Sequence, residues 1–177
     1  MVNHFLDLLK NTSGPILDLG CGTGLHARSL ARARAGSLGA IPNSDRSVIG
    51  LDLDLDALVT ARSLAEPGEA VLWSAGSTLA LPFADATFAA VLCVDVLHWS
   101  TDAAAFDKAW SEACRVLRPG GALHVRLLVS AVGAEHREGW FRADRAALER
   151  TGATVTLERG PGLRAWVSWH KPLLKTP

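Results

Sequence analysis

Asp18, Gly20, Gly22 and Gly24 fall in the run Asp-Leu-Gly-Cys-Gly-Thr-Gly at residues 18–24. Glycines at alternate positions let a backbone adopt positive φ and pass close to a ligand. A helix starting just beyond such a loop offers unpaired N–H groups to an anion such as a carboxylate. Two ligand classes use this arrangement. A dinucleotide fingerprint, Gly-x-Gly-x-x-Gly/Ala, wants a small residue at position 25. Leu25 stands there and would crowd a pyrophosphate. The chain has no Gly-x-x-x-x-Gly-Lys-Ser/Thr run, which excludes a P-loop. Further on, Asp52 ends a second apolar run, with Asp54 and Asp56 close behind. His98 titrates near neutrality by nature and can orient a substrate or take its proton. Cys21, Cys93 and Cys114 are too widely spaced for a zinc site or a disulfide framework, and they fit a reducing compartment. Cys93 has no recognisable activating base, so it is not expected to be a nucleophile.

These residues need elements to hold them. Residues 15–20 open with Pro15 and read as a buried strand, followed by a helix over 23–34. Residues 36–47 carry Gly39, Pro42, Asn43 and Ser44 and read as a loop. Residues 47–52 form a second strand, and Asp54 caps a helix over 55–65 that Pro67-Gly68 ends. Residues 71–73 give a short third strand. Residues 88–94 are nearly all apolar, as in a central parallel strand with both faces covered. Asp102 caps a helix to Leu117, with Phe106, Trp110, Ala113 and Leu117 on one stripe. Arg118-Pro119-Gly120-Gly121 reads as a turn before a fifth strand over 122–129. His124 and Arg126 share one face of that strand; Arg126 suits an acidic substrate or a salt bridge to a neighbouring helix. Residues 130–138 read as a short polar segment. A last helix is expected over 140–151, stopped by Gly152. Strands over 154–159 and 163–170, joined by Gly160-Pro161-Gly162, read as a closing hairpin. The repeated β-α order predicts a doubly wound α/β fold. Its sheet is expected to be seven-stranded and mostly parallel, with a terminal antiparallel hairpin, in one domain spanning 1–177.

The run Ile16-Leu17-Asp18-Leu19-Gly20-Cys21-Gly22-Thr23-Gly24 resembles the first motif of class I S-adenosylmethionine-dependent methyltransferases. Residues 48–54, Val-Ile-Gly-Leu-Asp-Leu-Asp, are similar to that family's second strand and its ribose-binding acid. Leu81-Pro82-Phe83, Leu97-His98-Trp99 and Leu117-Arg118-Pro119-Gly120-Gly121 resemble three further motifs, in order and at the right spacings. The resemblance covers roughly residues 15–130 and is strongest to the methyltransferase type 11 group. It implies S-adenosylmethionine as cofactor and a Rossmann-like fold. It also implies a cofactor set of Asp18, Gly20, Cys21, Gly22, Gly24, Asp52, Leu53, Ser77, Thr78, Cys93 and His98. Asp52 would accept the ribose hydroxyls, each bond worth roughly 1.5–3 kcal/mol. Asp18 would lie near the cofactor's amino group or cap a helix. His98 is the candidate catalytic base, or a packing residue at the cofactor's edge. Trp99 and Trp140 are candidates to line a substrate pocket. The sequence departs from the family twice. Ser77 stands where an acid usually meets adenine, and Phe88-Ala89 replaces Phe-Asp.

The implied reaction is in-line transfer of a sulfonium methyl, and it needs no metal. Such chemistry is mostly positioning, which supplies roughly 7–11 kcal/mol. The acceptor is expected to be a small molecule. The 177 residues hold 18 basic and 18 acidic side chains and 49% hydrophobic residues. That balance fits a globular chain rather than a disordered one, and argues against non-specific nucleic-acid binding. No apolar run approaches a membrane span, and the first residues lack a signal peptide's pattern, so a cytoplasmic protein is expected. Only about fifteen residues precede the first strand. Residues 2–10 could form a turn or two with Phe5, Leu8 and Leu9 facing inward, too little to cover cofactor and substrate. A homodimer or a large acceptor is therefore expected to close the cleft. A non-catalytic binder of the same cofactor, serving as scaffold or sensor, is the alternative; a nucleotide-dependent oxidoreductase is disfavoured by Leu25 and the hairpin ending.

Overall fold

Short apolar runs become strands where both of their faces can be covered. In the computed structural model, which describes residue 9 and residues 12–36, 47–131, 133–137, 140–158 and 164–173, β1 (Ile16–Leu19) is buried at every position. The same holds for the first six residues of β4 (Phe88–Val94). These two pair in parallel at the centre of the sheet. β2 (Val48–Asp52) pairs with β1, β3 (Val71–Ala75) with β2, and β5 (Leu117–Ser130) with β4, all parallel. β9 (Arg164–His170) runs antiparallel to β5, and β8 (Thr154–Leu157) antiparallel to β9. Seven strands thus lie in the order β3-β2-β1-β4-β5-β9-β8. The chain steps outward from β1 to β3, then returns to lay β4 on the other side of β1. That reversal opens a crevice beyond the C-terminal ends of β1 and β4.

Helices cover both faces. α1 (Leu25–Gly36) buries Ala27, Leu30 and Ala31 against Ile16, Val48, Ala90 and Leu92. α2 (Leu55–Ser63) begins at Asp54, whose carboxylate accepts the Asp56 and Ala57 N–H groups at 2.9 and 3.1 Å. On the opposite face α3 (Ala103–Val116) buries Phe106, Ala109, Ala113 and Val116. Asp102 caps it by accepting the Ala105 N–H at 2.8 Å.

Three expectations change. Residues 140–151 do not form one helix: β7 (Trp140–Asp144) precedes α4 (Arg145–Arg150). Phe141 and Ala143 are buried while their neighbours are half-exposed, a period of two that packs as a strand. Asp144 then accepts the Ala146 N–H at 2.9 Å and starts the helix. Second, residues 130–138 contain β6 (Glu135–Arg137), antiparallel to β7, so two strands join the expected seven. β7 itself runs parallel to the last residues of β5. Third, Arg118–Gly121 is not a turn ahead of β5 but an irregularity within it. The Gly120 N–H donates to the Lys171 carbonyl, and the Lys171 N–H to that of Gly121, both at 2.9 Å. The antiparallel partner thus zips up the residues that would otherwise turn. Leu9 is buried against the α1 face; the rest of the expected N-terminal turn, the loop at 37–46 and the Gly160-Pro161-Gly162 link lie outside the described residues. No helix among the described residues is long and apolar enough to cross a membrane.

Candidate functional site

The glycine loop leaves β1 and crosses the end of β2. The Gly20 and Cys21 N–H groups both donate to the Leu51 carbonyl, at 2.8 and 3.0 Å. The loop lies so close to its neighbours that two glycines are steric requirements. A Cβ at Gly24, where φ is +80°, would meet the Trp73 ring at 2.4 Å, and one at Gly20 would meet Val96 at 2.3 Å. Gly22 differs: a Cβ there would have nothing within 4 Å, because that position faces open space. The open space is a cleft of about 590 Å³ beyond the strand ends.

Asp52 ends β2 at the wall of this cleft. Its Oδ2 accepts the Gly22 N–H at 2.7 Å and its Oδ1 the Asp54 N–H at 2.9 Å. The acid and the loop are therefore fixed to each other. Gly20, Gly22, Asp52, Leu53, Ser77 and Thr78 all line the cleft. Leu53 stands at its rim, 73% exposed. The Ser77 hydroxyl accepts the Leu79 N–H at 3.1 Å, which makes it a turn former as well as a wall residue.

The other expected residues stand behind the wall. Asp18 is 1% exposed, and the Ala27 N–H in the first turn of α1 donates to its carboxyl group. Its Oδ2 is buried without a hydrogen bond. Burial, reinforced by the charge of Asp52, pushes its carboxyl up to about 7. Cys21 and Cys93 are buried, and burial first, with nearby carboxylates adding to it, raises both thiols; Cys21 reaches about 12. Neither is a thiolate near neutrality, which removes the nucleophile reading on chemical grounds. Gly24 serves packing against Trp73 rather than lining the cleft.

His98 sits in a 3-10 turn (Leu97–Trp99) after β4 and is 5% exposed. Its ring lies 4.8 Å from that of Trp140, edge to face, and Trp140 is 4.3 Å from Trp99. β7 thus carries Trp140 to the aromatic pair at the end of β4. Burial lowers the imidazole's affinity for a proton. Sequence reasoning missed Asp95, the residue after β4, which lines the cleft. It also missed the partners of Arg126. That guanidinium donates to Asp95, and to both Glu158 oxygens at 3.0 and 2.9 Å, rather than to a helix. The Trp166 indole N–H donates to the same Glu158 carboxylate at 2.9 Å. The alternation that put Arg126 on the face opposite Val125 was a signal; nothing in the sequence paired it with Glu158, 32 residues away.

The Leu81-Pro82-Phe83 stretch is held from α3. Glu112 accepts the Leu81 N–H at 2.8 Å, and Arg115 donates to the Phe83 carbonyl at 2.8 Å and to Asp85 at 2.7 Å. This clamp fixes where residues 77–79 meet the cleft. Among the described residues no three His, Cys, Asp or Glu side chains converge on a metal position.

Residues 16–121 match the sequence family described as "Methyltransferase domain". The chain is 33% identical over 129 residues to a malonyl-[acyl-carrier protein] O-methyltransferase of Methylococcus capsulatus, covering 73% of this chain and 42% of that protein. It is 37% identical over 105 residues to a 2-phytyl-1,4-naphtoquinone methyltransferase of Thermosynechococcus vestitus, covering 59% and 42%. The chain thus spans less than half the length of these curated relatives. A Methanosarcina mazei structure described as a SAM-dependent methyltransferase superposes with a TM-score of 0.73 at 18% identity, over 96% of this chain and 97% of that one. At that identity the likeness concerns the fold.

Proposed function

This chain belongs to the class I S-adenosylmethionine-dependent methyltransferases, and on that premise we propose that it transfers a methyl group from S-adenosylmethionine to a small-molecule acceptor. One observation carries the reading. The open side of Gly22, the Asp52 carboxylate and the 77–78 turn meet in a single cleft, in the order in which the family motifs read along the chain. The residues fit the cofactor by their chemistry. Asp18 keeps a buried carboxylate oxygen without a partner, suited to a cationic amino group. Gly20, Gly22 and the backbone of Cys21 give room to the methionine part, with Gly24 letting the loop close onto Trp73. Asp52 suits the ribose, and Leu53, Ser77 and Thr78 the adenine side. Cys93, buried in β4, and His98, buried between the cleft-lining Leu97 and Trp99, complete the set that the resemblance implies.

When bound, S-adenosylmethionine supplies a methyl on a sulfonium sulfur, a leaving group that needs no further activation. The protein's part is to orient the acceptor and remove its proton. Relatives named for malonyl-[acyl-carrier protein] and for 2-phytyl-1,4-naphtoquinone support an acceptor whose methylated part is a small organic group. The exposed rim at Leu53 and Trp99 supports the further reading that a second copy of the chain or a large acceptor covers the mouth. Light scattering in the presence of ligand tests it; a monomer that encloses bound ligand by itself refutes it.

A second reading, a non-catalytic binder of the same ligand, draws on Ser77. Its hydroxyl is engaged by the Leu79 N–H, so the adenine side lacks the family's acid. Calorimetry is the test of both. S-adenosylhomocysteine should bind near micromolar, about −8 kcal/mol, and NADH far more weakly. Equal or stronger NADH binding would end the methyltransferase reading. Turnover of labelled cofactor with an acceptor panel separates enzyme from binder.

A further inference from the structure

Two buried polar atoms of complementary chemistry stand without partners at the end of β4. Asp95 follows that strand in a left-handed conformation, φ +57°, with its N–H donating to the Arg126 carbonyl at 3.0 Å. Its Oδ2 accepts the Arg126 guanidinium, while its Oδ1 is buried and bonded to nothing. His98, three residues on, has its Nδ1 buried and bonded to nothing. Of the two ring nitrogens only Nδ1 is sealed off in this way. A buried unsatisfied group is costly, and such groups in native structures are few and call for an explanation. Asp95 also lines the cleft, and the Trp99 and Trp140 rings pack against His98.

The two atoms are not bonded to each other in this structure; we propose that in the ligand-bound protein Asp95 is the positioning residue for His98, its Oδ1 receiving the Nδ1–H of the imidazole while Nε2 takes the proton from the acceptor's nucleophilic atom. The inference rests on the methyl-transfer reading above. The proton would leave the acceptor for Nε2, and the electron pair left behind would form the bond to the donor's methyl as the methyl–sulfur bond breaks and its pair returns to sulfur, leaving a neutral thioether. Imidazole becomes imidazolium next to a carboxylate. A base oriented by a third group is the general logic of an activated nucleophile. The charged groups that act on His98 are Asp95, Arg164 and Arg126. Arg126 aims the Asp95 carboxylate, and Glu158 offsets the guanidinium's charge. Burial lowers the imidazole's affinity for a proton and so favours its neutral form. An acceptor served by such a base carries a proton on the reacting atom, as a phenol, alcohol or amine does. A carboxylate would not need it.

Nitrogen-15 histidine spectra of the full chain with S-adenosylhomocysteine, assigned with His98→Asn, read this directly. The wild type should show the neutral tautomer with hydrogen on Nδ1, the less favoured form of a free imidazole. Asp95→Asn tolerates the left-handed backbone. It should lose that tautomer preference and lower the His98 midpoint by about one pH unit or more. Arg126→Gln removes a cation that opposes protonation, so it should move the midpoint up; if Asp95→Asn does not fold, the wild-type tautomer alone decides. Hydrogen on Nε2 in the wild type, or a midpoint indifferent to both substitutions, overturns the proposal. Calorimetry of the wild type with S-adenosylhomocysteine is scored separately. No binding overturns the methyltransferase reading itself, whereas binding with an uncoupled His98 overturns only the role of Asp95.

Discussion

Asp18→Asn should make the unliganded protein more stable and the liganded protein less so. Asp18 is 1% exposed, with one carboxylate oxygen unpartnered and only the Ala27 N–H on the carboxyl group. Its proton affinity rises from an ordinary 3.8 to about 7, chiefly through burial and then through Asp52. In the unfolded chain the group ionises near 3.8, while the native state holds the proton to about 7. Between those values the native state binds more protons, so stability falls as pH rises, and above about 7 the full cost stands. A shift of about three units at ~1.4 kcal/mol each sets that cost at roughly 4 kcal/mol as an upper bound. Asparagine carries no charge, but it places an NH₂ where Oδ2 has no partner, which costs about 1–3 kcal/mol. The net gain at pH 8 is therefore roughly 1–3 kcal/mol, or several degrees in Tm, and it reverses to a loss of similar size near pH 4, where the charge cost is nearly gone and the amide's remains. The wild type in saturating S-adenosylhomocysteine, at about 100 times Kd, should gain about 2.7 kcal/mol. The variant should lose most of that gain. Thermal melts from pH 4.5 to 8.5, with and without ligand, measure all of this. Parallel stability–pH curves for the two proteins would refute the burial argument. An undiminished ligand shift in the variant would refute the placement of Asp18 in the site.

Three further outcomes are expected. Asp52→Ala should weaken S-adenosylhomocysteine by roughly ten- to a hundredfold in calorimetry, through lost charge-assisted bonds, and Asp56→Ala should change little; equal effects would mean the wrong acid was chosen. Gly24→Ala forces a Cβ to 2.4 Å from the Trp73 ring at a φ of +80°, so urea unfolding should show a loss of about 2 kcal/mol or more. The Glu112 carboxyl is held down to about 2, first by its hydrogen bonds from Arg115. That contribution is fully present above the ordinary carboxylate range and is lost as pH falls through about 2. Glu112→Gln should therefore cost roughly 1.5–3 kcal/mol at pH 7, with little difference from wild type in acid melts.

The repeated β-α elements were legible because each has a local cause. β4 is apolar along its length, α2 and α3 start at Asp54 and Asp102, and the glycines of residues 20–24 punctuate the end of β1. The stretch 140–144 was misread as helix because Trp-Phe-Arg-Ala-Asp has no helix breaker. It becomes a strand only because the end of β5 and β6 offer it partners. A sheet pairing is a distant contact, and local propensity does not carry it.

For the site, the residue types at 18–24 and at 52 determined by themselves that a close-packed glycine loop and a strand-end acid exist, since φ freedom and carboxylate chemistry belong to the residues. Only the tertiary structure decided which of them face open space. Gly22 lines the cleft while Gly24 packs on Trp73; Asp52 reaches the wall while Asp18 stays behind it. It also brought together Asp95, Arg126 and Glu158 from three separate parts of the chain, and Trp140 with His98. The physical reason is range. Backbone conformation and capping act over a few residues, whereas burial, desolvation and charge pairing depend on neighbours that strand order and side-chain packing supply.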